Sequence, residues 1–355
     1  MNILFAITGI AFALFVAFLF SFDRKNIDFK KTLIMIFIQV LIVLFMMNTT
    51  IGLTILTALG SFFEGLINVS KAGINFVFGD IQNKNGFTFF LNVLLPLVFI
   101  SVLIGIFNYI KVLPFIIKYV GIAINKITRM GRLESYFAIS TAMFGQPEVY
   151  LTIKDIIPRL SRAKLYTIAT SGMSAVSMAM LGSYMQMIEP KFVVTAVMLN
   201  IFSAMDGFKI AVVVAVMLLA FISLMEAINI MFGSVGLNFK QLIGYVFAPI
   251  AFLMGIPWSE AVPAGSLMAT KLITNEFVAM LDFKNVLGDV SARTQGIISV
   301  YLVSFANFGT VGIIVGSIKG ISDKQGEKVA SFAMRLLLGS TLASIISGSI
   351  IGLVL

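Results

Sequence analysis

The chain alternates long apolar runs with short polar interruptions. A helix that crosses a bilayer needs ~20 mostly apolar residues, and residues 3–20 form a first candidate. "FDRKNIDFKK" follows, with Arg24, Lys25, Lys30 and Lys31, and reads as a cytoplasmic loop because basic residues stay on that side. Residues 33–47 return. "IGLTILTALGSFFEGLINVSKAGINFVFGD" scatters Glu64 and Lys71 over a helical pattern, as in an amphipathic helix in or near the interface. "FTFFLNVLLPLVFISVLIGIFNYI" is a strong span, and Lys111, Lys118, Lys126, Arg129 and Arg132 mark the cytoplasmic side after it. Further spans are expected at "AKLYTIATSGMSAVSMAMLGSYMQMI", "KFVVTAVMLNIFSA", "FKIAVVVAVMLLAFISLMEAINIMF", "GIISVYLVSFANFGTVGIIVGSI" and 329–355.

Two segments break the pattern. "TAMFGQPEVYLTIKDIIPRL" places Gln146, Pro147, Glu148, Lys154 and Asp155 among apolar residues. "LIGYVFAPIAFLMGIPWSEAVPAGSLMATKLITNEFVAMLDF" is interrupted by Pro257 and Pro263 and turns polar near Glu276. Each runs in, turns at polar groups and runs back, like a re-entrant hairpin. Non-helical backbone at membrane depth must line a cavity or be buried in protein. Two such segments in different halves of a chain point to a solute site near the midplane. Two ordinary Pro-kinked helices would leave a similar pattern.

Composition reinforces the membrane reading. Of 355 residues, 59% are hydrophobic and 12% charged, too few polar groups to wrap a soluble core. The mean hydropathy is +1.04. The net charge of +9 fits basic cytoplasmic loops better than nucleic-acid binding. The N-terminus lacks a basic n-region and a small-residue cleavage site, so it reads as a retained helix. Cysteine and histidine are both absent, which removes disulfides, thiolate nucleophiles and the commonest metal ligand. No metal site and no cofactor are expected, and any proton chemistry falls to Asp, Glu or Lys.

Intramembrane carboxylates are costly and usually face a functional cavity. Glu148 and Glu276 sit inside the two hairpins. As a catalytic pair they would make a membrane-embedded hydrolase, but no nucleophile motif accompanies them. A channel would need polar rings from several chains instead. Gln146 offers donor and acceptor, as a nucleobase edge requires, and a carboxylate with Asn307 can clamp a vicinal diol.

"ATKLITNEFVAM", Ala269 to Met280, resembles the signature of the concentrative nucleoside transporter family. "GQPE", "FAPIAFLMGIPWSEA" and "SFANFGTVGI" resemble that family's first hairpin turn, second hairpin and seventh helix, in the right order. The resemblance runs the length of the chain. It implies an all-α polytopic membrane protein: about eight spanning helices, an interfacial helix and two re-entrant helical hairpins. It implies a homotrimer working by an elevator movement, with scaffold parts at 1–110 and 207–232 and transport parts at 134–205 and 240–355. The location implied is a bacterial inner membrane, with both termini outside.

By position, the resemblance places Gln146 and Glu148 near the nucleobase, and Glu276, Asn307 and Thr310 on ribose. Phe305 and Met180 become apolar contacts, while Asn275 and Lys271 belong to the signature, Lys271 neutralising or orienting a carboxylate. The departures bear on the coupling ion. Where sodium-coupled relatives hold their cation, this chain has Thr141, Phe144, Ala175 and Val176. Hard cations need oxygen ligands, and two side-chain oxygens have become one. Proton coupling is therefore expected, with Glu148 or Glu276 as carrier, because a carboxylate at low dielectric can load and release near neutral pH. Ser140 or Ser174 could restore an oxygen, which keeps Na+ open. Pro147 removes a hydroxyl and an N–H from the first turn and so bears on base choice. Pyrimidine nucleosides such as uridine are the expected substrates. "NIFSAMDGFKIA" joins two spans through almost nothing: either a short hairpin, or a loop absent from this sequence between Ala204 and Gly207. Glu226 reads as a solvated helix end.

Overall fold

The computed structural model describes residues 2–21, 24, 27–79, 88, 90–128, 131–143, 148–176, 178–199, 228, 230–234, 236 and 238–355. Among them there is no strand. Helices α1 (Asn2–Phe20) and α2 (Phe29–Asn48) match the first two apolar runs. Helix α3 (Thr50–Phe78) is a single rod of 29 residues, long and apolar enough to cross a bilayer. Gly52, Leu56, Gly60, Phe63, Ile67, Ser70 and Ile74 form its one buried stripe, whereas Glu64 and Lys71 are exposed. A π-helical turn (Phe90–Leu94) leads into α4 (Leu95–Tyr109).

The charged stretch after α4 is largely helical. It contains α5 (Val112–Thr128), set at 79° to α4 across Lys111, whose φ is +67°. Leu113, Ile117 and Gly121 recur every fourth residue on its buried face, and the lysines occupy other faces. Charge alone marked this segment as polar; its helical period was the stronger signal.

The first hairpin comprises α6 (Arg132–Met143) and α7 (Glu148–Thr152), followed by a 3-10 turn (Ile157–Arg159). Lys154 and Asp155 are exposed in the turn between them. The expected continuous span at 163–188 is broken into α8 (Arg162–Met173) and α9 (Met178–Met185). Helix α10 (Pro190–Leu199) follows. The expected span at 208–232, Glu226 and the Ala204–Gly207 link lie largely or wholly outside the described residues.

Helix α11 (Phe239–Leu253) and α12 (Trp258–Ile273) meet at 116°. Gly255, at φ +98°, makes the turn and accepts from Arg293 Nε at 2.8 Å. The arms pack closely because a Cβ on Gly265 would fall 2.5 Å from the Gly244 carbonyl. Helix α13 (Glu276–Val286) completes the second hairpin. Helices α14 (Ala292–Leu302) and α15 (Phe308–Ile321) are two halves of one interrupted run. The polar segment before the expected last helix forms α16 (Asp323–Ala330), and the last helix itself is α17 (Ala333–Ile351).

The larger core joins α9 and α10 to α11–α14 and α17, with α1, α2 and α3 packed on it. A smaller core joins the first hairpin to α8, α15 and α17. Gln325 Nε2 closes it by donating to the carbonyls of Ile157, Pro158 and Leu160. Large apolar side chains such as Phe37, Phe115 and Val246 point outward, as a lipid solvent permits.

Candidate functional site

Three helix breaks meet in the interior. The first lies between α8 and α9 at Ser174–Val176, the second between α12 and α13 at Thr274 and Asn275, and the third between α14 and α15 at 303–307. Two breaks are joined directly, since Phe305 N–H donates to the Ala175 carbonyl at 3.0 Å. Asn275 and Asn307 are both extended residues that start a helix. Asn275 Oδ1 accepts from Val278 N–H at 3.1 Å, and Asn307 Oδ1 from Thr310 N–H at 2.8 Å. Each cap satisfies a backbone donor that would otherwise be stranded at membrane depth.

Glu276 sits at the junction, buried and in the first turn of α13. Tyr184 O–H donates to its Oε1 at 3.0 Å, and Asn307 Nδ2 donates to its Oε2 at 3.0 Å. An ionised carboxylate offers about four lone-pair directions, so two donors leave capacity for two more. A vicinal diol presents two hydroxyl donors at a matching spacing. The helix N-termini of α13 and α15 add partial positive charge on the same side.

Lys271 is buried one arm away. It was expected to neutralise or orient a carboxylate, but no ion pair joins it to Glu276. Its ammonium donates to the Tyr301 carbonyl at 2.6 Å, to Ser304 Oγ at 2.6 Å and to Ser344 Oγ at 3.3 Å.

The structure thus brings Asn275, Glu276, Phe305, Asn307, Thr310 and Ala175 together, all buried. Met180 is buried one turn before Tyr184 on α9, and Val176 is buried beside Ala175. Thr141 is buried on α6 with its hydroxyl on the Phe137 carbonyl at 2.5 Å. Phe144, Gln146, Pro147 and the side chain of Glu148 lie outside the described residues. Four participants were not picked out from sequence: Tyr184, Tyr301, Ser304 and Ser344. Tyr184 carried a weak signal, four residues after Met180 on one helical face. The others are joined to Lys271 only by long-range packing.

Three family models follow one another along this chain. "Na+ dependent nucleoside transporter N-terminus" matches 8–81, "Nucleoside recognition" matches 90–191, and "Na+ dependent nucleoside transporter C-terminus" matches 190–352. The purine nucleoside transport protein NupG of Bacillus subtilis (strain 168) is 31% identical over 99% of both chains. That alignment extends over 396 residues against 355 here, so the relative carries segments this chain lacks. The nucleoside permease NupC of Helicobacter pylori is 27% identical, over 99% of this chain and 97% of its own. CNTnw in an inward-facing substrate-bound state superposes with a TM-score of 0.93 at 27% identity, covering 99% of this chain and 98% of its own. A doubly substituted CNTnw in an outward-facing state also gives 0.93 at 27% identity, covering 99% and 97%. Models, relatives and fold agree along the whole chain, which belongs to the concentrative nucleoside transporter family and is a multi-pass membrane nucleoside transporter, not an enzyme.

Proposed function

We propose that this transporter is a nucleoside:proton symporter of a bacterial inner membrane that grips ribose through Glu276 and Asn307. The observation that carries the site is the Glu276 carboxylate, held between Tyr184 and Asn307 where three helix breaks meet. A ribose diol would donate into its remaining lone pairs, Thr310 would stand beside the sugar, and Phe305 and Met180 would flank the nucleoside. Gln146 and Glu148 would approach the base from the first hairpin. A hydrolase built on Glu148 and Glu276 finds no support in a family of transporters.

Proton coupling draws support from the ion region. The Thr141 hydroxyl is engaged by Phe137, the Ser174 hydroxyl by Thr170, and the Ala175 carbonyl by Phe305. These bonds fix where the oxygens point but leave lone pairs on them, so the weight falls on the apolar side chains of Ala175 and Val176, which bring no side-chain oxygen to a hard cation. Glu276 or Glu148 would then carry the proton. Sodium coupling is the second reading, and one observation favours it: the buried Ser140 hydroxyl, next to Thr141, has no hydrogen-bond partner. Base choice is drawn two ways. Uridine is the expected substrate, yet the name of NupG specifies purine nucleosides.

Uptake of labelled uridine into proteoliposomes tests all three points. A pH gradient alone should drive accumulation, and a sodium gradient alone should not. Accumulation that needs sodium would overturn proton coupling, and indifference to both gradients would overturn symport. Stronger competition by inosine than by unlabelled uridine would overturn the pyrimidine preference. The same family resemblance supports a homotrimer, outward-facing termini, and a scaffold (1–110, 207–232) against which the transport parts (134–205, 240–355) move. Mass measurement in detergent tests the trimer.

A further inference from the structure

The Lys271 ammonium has three protons and meets three oxygens: the Tyr301 carbonyl, Ser304 Oγ and Ser344 Oγ. The two hydroxyls are themselves 2.7 Å apart, and the Tyr301 ring centroid lies 4.3 Å from the ammonium. The cage is buried throughout. An amine in such a place normally needs a counter-charge in contact. Here a helix end, two hydroxyls and a ring face solvate it instead.

The cage stands behind the candidate site. Tyr301 is in the last turn of α14, where carbonyls lack helical partners, and Ser304 is in the break that follows. Three residues on, Asn307 reaches Glu276. Lys271 and Glu276 flank the tip of the second hairpin in the same way. Chain segments 271–276 and 304–307 are therefore joined by two side-chain bridges, Lys271 to Ser304 and Glu276 to Asn307. The Phe305–Ala175 bond fixes the middle. Without the Lys271 bridge the unwound segment would be held from behind by the Ser304–Ser344 hydroxyl pair alone, with its other ties on the ligand side. A lysine paired directly to Glu276 would also occupy the lone pairs that a diol needs. The cage keeps that charge nearby and out of contact.

We infer that Lys271 is a positioning residue for nucleoside binding: it pins the unwound 303–307 segment from behind, so that Phe305 and Asn307 stand where the ligand meets them. This inference rests on the reading of Glu276 and Asn307 as ribose contacts.

The test is uridine affinity of the purified full-length protein by calorimetry, beside the melting temperature without ligand. Lys271→Met should weaken uridine binding by about tenfold or more, as loss of a charged hydrogen-bonding partner does. Lys271→Arg, which keeps charge and donors, should recover part of that loss. Ser344→Ala removes one acceptor from α17, an element outside the proposed ligand contacts, and should weaken binding about two- to fivefold with the melting temperature little changed. Wild-type affinity in Lys271→Met or in Ser344→Ala would overturn the inference, as would lowered melting temperatures with unchanged affinity. If Lys271→Met does not fold, Ser344→Ala and Lys271→Arg decide alone. Glu276→Gln separates the two levels. Normal binding in Glu276→Gln would defeat the ribose assignment itself, whereas its loss beside normal Lys271→Met would defeat only the positioning role.

Discussion

Two sets of polar residues, those around Glu276 and the hydroxyls of Thr141 and Ser174, use their hydrogen bonds differently. Around Glu276 the side-chain donors to the carboxylate come from other elements, Tyr184 from α9 and Asn307 from the break before α15, and Lys271 reaches across to Ser304 and to Ser344 on α17. Around Thr141 and Ser174 the hydroxyls turn back on their own helices, to Phe137 and Thr170, four residues earlier. Groups bonded across elements depend on tertiary structure and can be re-formed around a ligand. Groups bonded to their own helix are oriented locally, whatever the rest of the fold does, and keep only their oxygen lone pairs to offer. The proposed ribose site gathers donors around a carboxylate, whereas the ion region offers few side-chain oxygens, and that difference is the physical ground for the proposed proton coupling.

Substitutions can break or sharpen that contrast. Glu276→Gln should have the largest effect, lowering uridine affinity by about 100-fold, because it removes the charged acceptor and leaves Tyr184 and Asn307 facing a weaker one. Asn307→Ala should cost about 10- to 50-fold, since it removes the bridge to Glu276 and the cap on Thr310 together, and the melting temperature should fall with it. Tyr184→Phe should cost about three- to tenfold in affinity and leave the gradient dependence of uptake unchanged. Thr141→Ala should have the smallest effect, within about twofold in uptake driven by a pH gradient, because its hydroxyl donates back to its own helix. A large loss in Thr141→Ala would erase the contrast and point to an ion held at that position.

Much of the architecture was legible because lipid imposes long apolar runs, and the polar turns near Glu148 and Glu276 stood out against them. The break at 303–307 falls inside a run expected to span, where Phe305, Asn307 and Thr310 were picked out through the family resemblance. The break at Ser174–Val176 was hidden too. "SGMSAVSM" is rich in small residues compatible with a continuous helix, and what joins the open backbone there is a bond from Phe305, far away in sequence. Helix α5 was hidden for the opposite reason, because its lysines outweighed a buried face that repeats every four residues. At the site, Glu276 and Asn307 could be chosen from their chemistry and their motif. Tyr184 lies 92 residues from Glu276, and Ser344 lies 73 from Lys271, so neither partner could be assigned without the fold. For Lys271, opposite charge suggested a carboxylate; Glu276 lies close enough to act on it electrostatically, but the groups in contact are a helix end and two hydroxyls, which only the fold reveals.

The most direct measurement of the ribose contact is a cycle between protein and ligand. Uridine and 3′-deoxyuridine would be titrated against the wild-type protein and against Glu276→Gln. The account predicts that wild type binds the deoxynucleoside about tenfold or more weakly, and that Glu276→Gln binds the two nearly alike, because the carboxylate that reads the hydroxyl is gone. Equal discrimination by both proteins would contradict it, and would place the sugar away from Glu276.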